Sequence, residues 1–188
     1  IAMVVCHPLS APPAVGQDIG AAQPAAAGCE IRIFDPSQPE LSARTIFSDA
    51  DGCIYDMNVS NDARELLFSY RGKGEPNWHI WRIGTDGTGL RRLTDGPCHD
   101  VSPCLLPDGN IVFVSTRRFG YTLCQPGPAS NLYRMAGDGT HLRCVSMNTL
   151  SDFSPQVLPD GRVLFTRWEY VDRDLTYRQS LWTQYPDG

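Results

Sequence analysis

The chain has 188 residues, 41% hydrophobic and 20% charged, a composition that suits a soluble globular fold. With 16 Lys and Arg against 21 Asp and Glu, the net charge is −5, so no clustered positive field is on offer to displace counterions from a nucleic acid. No apolar run approaches the ~18 residues of a membrane span, and Ile1 to Val5 is too short and lacks the basic flank of a signal peptide.

In chain order, residues 1–28 come first. Pro8, Pro12, Pro13, Pro24 and the run Ala25-Ala26-Ala27-Gly28 are too rich in Pro, Gly and Ala to hold a packed element, so the segment is expected to be a linker or an extended arm. Glu30 to Phe34 with Arg44 to Phe47 then reads as the end of a repeating unit, a partial blade over about 29–47. Further units follow at about 54–94, 101–146 and, again partial, 153–188.

The repeat itself is explicit. Ser102-Pro103-Cys104-Leu105-Leu106-Pro107-Asp108-Gly109-Asn110-Ile111-Val112-Phe113 returns 52 residues later as Ser154-Pro155-Gln156-Val157-Leu158-Pro159-Asp160-Gly161-Arg162-Val163-Leu164-Phe165, with seven of twelve positions identical. Trp81 to Arg91 returns with the same period as Tyr133 to Arg143 and begins again at Leu181-Trp182. Val59 to Ser69 is an earlier copy of the first element. Self-similarity at this period is the signature of stacked supersecondary units.

Each unit reads as four short strands. Runs such as Ile111-Val112-Phe113-Val114 are bounded by Pro-Asp-Gly or Asp-Gly-Thr turns, in which Gly supplies positive φ and Asp hydrogen-bonds the backbone two residues on. Helical periodicity is not sustained anywhere. Strands are expected near 111–115, 131–135, 142–146 and 163–167. The fold class is therefore all-β, a partial β-propeller with about three of an expected six four-stranded blades. Antiparallel order sends the tight turns Asp108-Gly109 and Asp138-Gly139 to one face, and the long connections 95–103, 116–131, 147–154 and 167–180 to the other. Loops on a rigid scaffold carry binding chemistry, so the long-loop face is the expected binding face. An arc of this many blades is expected to leave strand edges unpaired and to self-associate.

Candidate chemistry on that face is sparse. Cys98, His99 and Cys104, with Asp100, are the only cluster of metal-ligand residue types, but their spacing matches no zinc pattern. Two thiols beside a solvated His, or a disulfide, is the bland alternative. The binding-face candidates are His99, Asp100, Arg117, Arg167, Glu169, Tyr170, Asp172 and Arg173. The alternating charges around Trp168 and Tyr170 suit an ion-pair network that locks the loop, or an Arg-and-aromatic surface that anchors a partner. Trp78, Trp81 and Tyr133 fall in third strands and read as packing between blades. The sequence contains no G-x-S-x-G elbow and no H-E-x-x-H helix. Seven cysteines without a CxxC pair lean toward an extracytoplasmic setting.

Leu-Pro-Asp-Gly followed by a hydrophobic strand, recurring in register, resembles the WD40-like repeat of TolB propellers. A narrower resemblance covers residues 29–188. Leu106 to Arg117, Ser130-Asn131-Leu132-Tyr133 and Asp160 to Arg173 look like the propeller region of hydrazine synthase alpha-type subunits, the most specific motif being Thr166-Arg167-Trp168-Glu169-Tyr170-Val171-Asp172-Arg173. The resemblance implies a six-bladed propeller N-terminal to haem-carrying domains in an extracytoplasmic protein. It also implies a Cys spaced to pair with Cys124, where this chain has Arg118. The chain has no CxxCH, so no c-type haem is expected within it, and haem c would belong to the parent protein.

Three functions follow from these residues. The first is a non-catalytic propeller scaffold or binding segment of a larger extracytoplasmic protein, whose partners are other domains of the same protein or a separate protein. The second is a TolB-like periplasmic protein-interaction module. The third is the substrate-gating propeller of a hydrolase. No catalytic residue, cofactor, nucleic acid or membrane span is expected in this chain.

Overall fold

The computed structural model of the protein describes residues 2–6, 28–35, 37, 43–122, 127–169 and 179–188. All regular structure among them is β-strand. The first sheet holds β1 (Ala2–Cys6), β2 (Cys29–Ile33) and β3 (Arg44–Asp49). The second runs β4 (Cys53–Val59), β5 (Glu65–Arg71), β6 (His79–Gly84) and β7 (Arg91–Arg92). The third runs β8 (Asp100–Leu105), β9 (Ile111–Ser115), β10 (Asn131–Met135) and β11 (Arg143–Cys144), and the fourth β12 (Asp152–Val157), β13 (Val163–Trp168) and β14 (Gln179–Gln184). Each sheet is an antiparallel meander in chain order, and the four are blades one to four of a propeller arc. Within the arc β4 lies against β8 and β8 against β12.

The second strand of each blade explains the stacking. β5 carries Leu66, Leu67 and Phe68 in succession, all buried, and because strand side chains alternate between faces, a continuous apolar run needs cover on both sides. Leu66, Phe68 and Tyr70 pack toward blade one, with Cys29, Ile31, Ile54 and Ile83 in the same cluster. Leu67 points the other way and joins Ile80 to Ile111, Phe113, Tyr133 and Met135 of blade three. β9 repeats the device, since Val112 and Val114 meet Val163 and Phe165 of blade four. Every core cluster thus spans a blade boundary, and a fully buried Phe such as Phe68 or Phe113 contributes about 2–3 kcal/mol.

The inner strand of blades two, three and four carries a bulge, between Ile54 and Met57, Val101 and Cys104, and Phe153 and Gln156. Ser102 and Ser154 sit at the last two of these with φ of 54° and 49°. An extra residue in one strand increases its bend, which suits the crowded centre of the arc. At the outer edge, the hydroxyls of Thr94 and Ser146 accept from Ile80 N at 3.0 Å and Leu132 N at 2.8 Å, extending the outer pairing beyond the two-residue strands.

Tight turns close the opposite face from the long loops. Asp86 Oδ1 accepts from Thr88 N at 2.9 Å and Thr88 Oγ1 at 2.8 Å, and Asp138 Oδ1 from Thr140 N at 2.9 Å and Thr140 Oγ1 at 2.7 Å. Each turn then leans on the preceding blade. Arg44 donates to the carbonyls of Thr85 at 2.7 Å and Asp86 at 3.0 Å, and Arg91 to the carbonyl of Gly137 at 3.2 Å. A Cβ on Gly139, whose φ is 93°, would stand 2.7 Å from the carbonyl oxygen of Leu93.

Strands were expected near 111–115, 131–135 and 163–167, and are found at Ile111–Ser115, Asn131–Met135 and Val163–Trp168, with the turns at Asp108-Gly109 and Asp138-Gly139 on one side. Two expectations need correction. The fourth strand of blade three is Arg143–Cys144, shorter than 142–146, because the Ser146 hydroxyl takes over the next backbone donor. Residues 2–6, expected to belong to an arm, form β1 and pair with β2 from Ala2↔Ile33 to Cys6↔Cys29. Ala-Met-Val-Val-Cys is too short a run to stand out beside the Pro and Ala that follow it. The rest of the expected arm, 7–27, lies outside the described residues.

Candidate functional site

Inner strands β8 and β12 start at the long-loop face with Asp100 and Asp152, both fully shielded from solvent. Asp100 is neutralised within its own blade: Oδ1 accepts from Ser115 Oγ at 2.6 Å and Arg117 Nε at 3.2 Å, and Oδ2 from Arg117 Nη2 at 2.6 Å. Arg117 Nη2 also reaches the carbonyl of Asp95 at 2.7 Å. One repeat later Arg167 grips Asp152 in the same forked manner, at 2.8 and 3.1 Å, with Asn148 Nδ2 a further donor at 3.2 Å. A bidentate guanidinium is the geometry that best compensates a buried carboxylate. The strand partner of Asp152 is Arg167 whereas that of Asp100 is Ser115. Arg117 therefore reaches back from two positions further along, which accounts for the imperfect spacing of the two arginines.

These two pairs turn three of the charged candidates inward. Asp100, Arg117 and Arg167 fasten the entrances of blades three and four. Arg167 additionally lies over the rings of Trp182 at 4.8 Å and Phe165 at 5.2 Å. Glu169 follows β13 and is half-buried. Tyr170, Asp172 and Arg173 lie outside the described residues.

Cys98, His99 and Cys104 do not converge. Cys98 and His99 precede β8 and Cys104 is near its far end, roughly 15–20 Å along an extended chain. The Cys98 thiol is buried 3.8 Å from the carbonyl of Asp95 and 4.0 Å from Asp100, and burial with that neighbouring carboxylate pushes its pKa up to about 11. Burial also raises the Cys104 thiol, which faces Asn58 Nδ2 at 3.9 Å. Thiols with raised pKa values are poor nucleophiles and poor metal ligands. Among the described residues no three His, Cys, Asp or Glu side chains gather as a metal site.

His99 has a different neighbourhood. Its backbone N–H donates to Thr116 Oγ1 at 2.9 Å, and its carbonyl accepts from Thr116 N at 3.0 Å, fastening blade-entry loop to second strand. Beside it opens a pocket of about 260 Å³ lined by Asn77, Pro97, His99, Thr116, Phe119 and Tyr121 among others, drawn from blades two and three. Gly120 O accepts from Ala129 N at 2.6 Å, Tyr121 bridges Pro128, and Gly127 O accepts from Thr122 N at 3.1 Å. The described ends of this loop, 116–122 and 127–130, thus pair back on one another at the pocket rim. Phe119 is 85% exposed and Tyr121 83%, although burying such rings is strongly favourable.

Phe119, Tyr121 and the buried His79 were not among the sequence candidates. The two aromatics could have been found, since they lie in a connection already assigned to the binding face. His79, with Nδ1 at 3.6 Å from Asp100 Oδ2 across the blade boundary, carried no such signal. Arg118, standing where the hydrazine synthase resemblance implies a cysteine, donates to the carbonyl of Asn148 at 3.2 Å.

No protein-family model matches the chain, and no curated protein matches it in sequence. Solved structures do match. A TolB of Agrobacterium tumefaciens aligns with a TM-score of 0.62 at 19% identity, over 88% of this chain and 60% of that one. The chain has a TolB-like β-propeller fold. The hydrazine synthase of Kuenenia stuttgartiensis aligns with a TM-score of 0.62 at 20% identity, over 75% of this chain and 24% of that one. A chain of a Nidogen/Laminin complex aligns with a TM-score of 0.62 at 14% identity, over 87% of this chain and 56% of that one. The TolB-like arc therefore spans less than two thirds of each of these proteins. No helix among the described residues is long and apolar enough to cross a membrane.

Proposed function

We propose that this chain is a non-catalytic propeller segment of a larger extracytoplasmic protein, and that its long-loop face binds another domain of that protein or a separate protein. One observation carries this reading. On that face the charged groups at the entrances of β8 and β12 are consumed in buried pairs, while Phe119 and Tyr121 stand almost bare at the rim of the pocket beside His99. Rigid aromatic side chains around a pocket are the usual anchors of an interface. The extracytoplasmic setting rests on the cysteine-rich composition and on the resemblance to TolB and hydrazine synthase. Any haem chemistry is assigned to domains outside this chain, whose sequence has no CxxCH.

A second reading, a TolB-like interaction module acting on its own, draws support from the larger share of TolB that the chain covers. One experiment tests both. A photo-crosslinking residue is placed at Phe119 or Tyr121, and in control proteins at Asp108 or Asp160 on the tight-turn face, in the native host. Adducts from positions 119 and 121 alone are expected. Adducts within the same polypeptide support the scaffold, and adducts to one separate protein support the module. Equal labelling from both faces would overturn the assignment of the binding face.

A further inference from the structure

Blade two departs from the pattern that fastens blades three and four. The strand entrance that Asp100 and Asp152 occupy in β8 and β12 is held in β4 by Cys53. Cys53 has Arg71 as its cross-strand partner, as Asp152 has Arg167. Blade two thus keeps the arginine but puts a thiol where the carboxylate stands, and a thiol lacks the pair of oxygens that a guanidinium grips.

Among the described residues the Arg71 guanidinium makes no ion pair and no hydrogen bond; it lies over the Trp78 ring, 4.7 Å from the centroid. A guanidinium can stack with its face and bond with its edge at once. Arg167 does both, lying over Trp182 at 4.8 Å while it holds Asp152 at 2.8 and 3.1 Å. Arg71 is partly shielded from water, and a partly desolvated cation without an acceptor is unfavourable until one arrives. Carboxylates on the surrounding segments are committed elsewhere: Asp49 to Tyr70, Asp51 to Lys73 at 3.0 Å, and Asp56 to Ser69 and, at 2.6 Å, to Ser102.

This corner adjoins the binding face. Trp78 N donates to His99 Nδ1 at 3.4 Å, Asn77 lines the pocket beside His99, and Tyr55, 44% exposed, has its ring centroid 5.8 Å from that of Trp78. Resting on the docking reading above, we propose that Arg71 receives an Asp or Glu carboxylate presented by the docked domain or protein. The partner then supplies in blade two the carboxylate that the chain itself supplies in blades three and four.

The isotope-labelled full chain is titrated with N-acetylglutamate α-amide, which offers one side-chain carboxylate, and with its uncharged glutamine counterpart. The Arg71 Nε–H signal, identified by its loss in Arg71→Met, is expected to shift saturably with the acid alone. In Cys53→Asp, where a carboxylate of the chain faces Arg71, that response is expected to disappear. Arg71→Met should lower the thermal midpoint by less than about 3 °C, the loss of one exposed cation–π contact, which leaves a folded chain for a second arm. There, cross-linked adducts from position 121 in the native host are expected to fall about tenfold with Arg71→Met, one charge-assisted hydrogen bond being lost. No saturable shift, or an equal response to the glutamine compound, would overturn the site. A shift with adducts unchanged by Arg71→Met would make the ligand a free small acid and overturn the partner assignment. Absence of adducts from the protein with Arg71 intact, the shift persisting, would remove the docking reading and its partner while the carboxylate site stands.

Discussion

Replacing Arg117 by Met keeps most of the side-chain volume and removes the cation that neutralises Asp100. Of its side-chain donors the carboxylate would retain the Ser115 hydroxyl at 2.6 Å and the weak Cys98 thiol at 4.0 Å, with His79 Nδ1 too distant, at 3.6 Å, to hydrogen-bond. Stranding a buried charge in this way costs about 3–5 kcal/mol. The guanidinium side chain is 20% exposed, so some water can approach and the lower end, about 3 kcal/mol, applies. For a chain of this size that is a fall of about 6–12 °C in Tm, and urea denaturation should show a lower midpoint at unchanged slope. The partner variant makes the reasoning testable. In Asp100→Leu/Arg117→Met both charges are gone and no buried ion is left unpaired, so stability should return close to the starting value rather than fall further. Arg167→Met should repeat the loss at Asp152, which would keep only Asn148 Nδ2 among its side-chain donors. If Arg117→Met changes stability by less than about 0.5 kcal/mol, or if the double variant loses the sum of the single losses, the pair is not the lock inferred from its geometry.

Two further outcomes follow from the tight-turn face. Gly139→Ala should cost about 3 kcal/mol, because an L residue at φ of 93° is strained and its Cβ would press within 2.7 Å of the Leu93 carbonyl of the preceding blade. Gly109→Ala, with φ of 80° but nothing within 4 Å, should cost only the ~1–2 kcal/mol of backbone strain; equal losses in urea titrations would remove the blade-to-blade contact from the account. The carboxylates of Asp86 and Asp138 are held below the ordinary aspartate range by hydrogen bonds from Thr88 and Thr140. A folded value below the unfolded one means stability that is present above about pH 4 and lost as pH falls through the folded value. The double variant Asp86→Asn/Asp138→Asn should therefore flatten the acid limb of a plot of urea midpoint against pH, and an unchanged limb would mean that other carboxylates set it.

The sequence reveals most where one physical requirement repeats. Leu-Pro-Asp-Gly before a hydrophobic strand states both the turn and the strand, so β9 and β13 were legible together with their turns. The role of Arg117 was less visible, because it pairs with Asp100 from outside strict register with Arg167, and spacing alone could not say that the two guanidiniums perform one task. β1 escaped because a five-residue strand in front of a Pro and Ala tract has no repeat copy beside it to identify it. Phe119 and Tyr121 were hidden for a further reason: an exposed aromatic and a core aromatic look alike in sequence, and only the pairing of 120–122 with 127–129 shows these two turned toward solvent.

The two faces of the arc are under different constraints, and this bears on where function can lie. On the tight-turn face the geometry is fixed three times over, by Asp-Thr turns, by Arg44 and Arg91 reaching into the next blade, and by glycines abutting the carbonyls of the preceding one. A substitution there acts on the joint between blades before it can act on a ligand. On the long-loop face the fastening lies one layer down and within each blade, at Asp100 in blade three and Asp152 in blade four, by side chains that point inward. The loop above them is relieved of that task, so residues such as Phe119 and Tyr121 can change without loosening a blade. Surface that can vary without cost to the scaffold is where partner specificity can accumulate. In this chain that surface is the rim of the pocket beside His99.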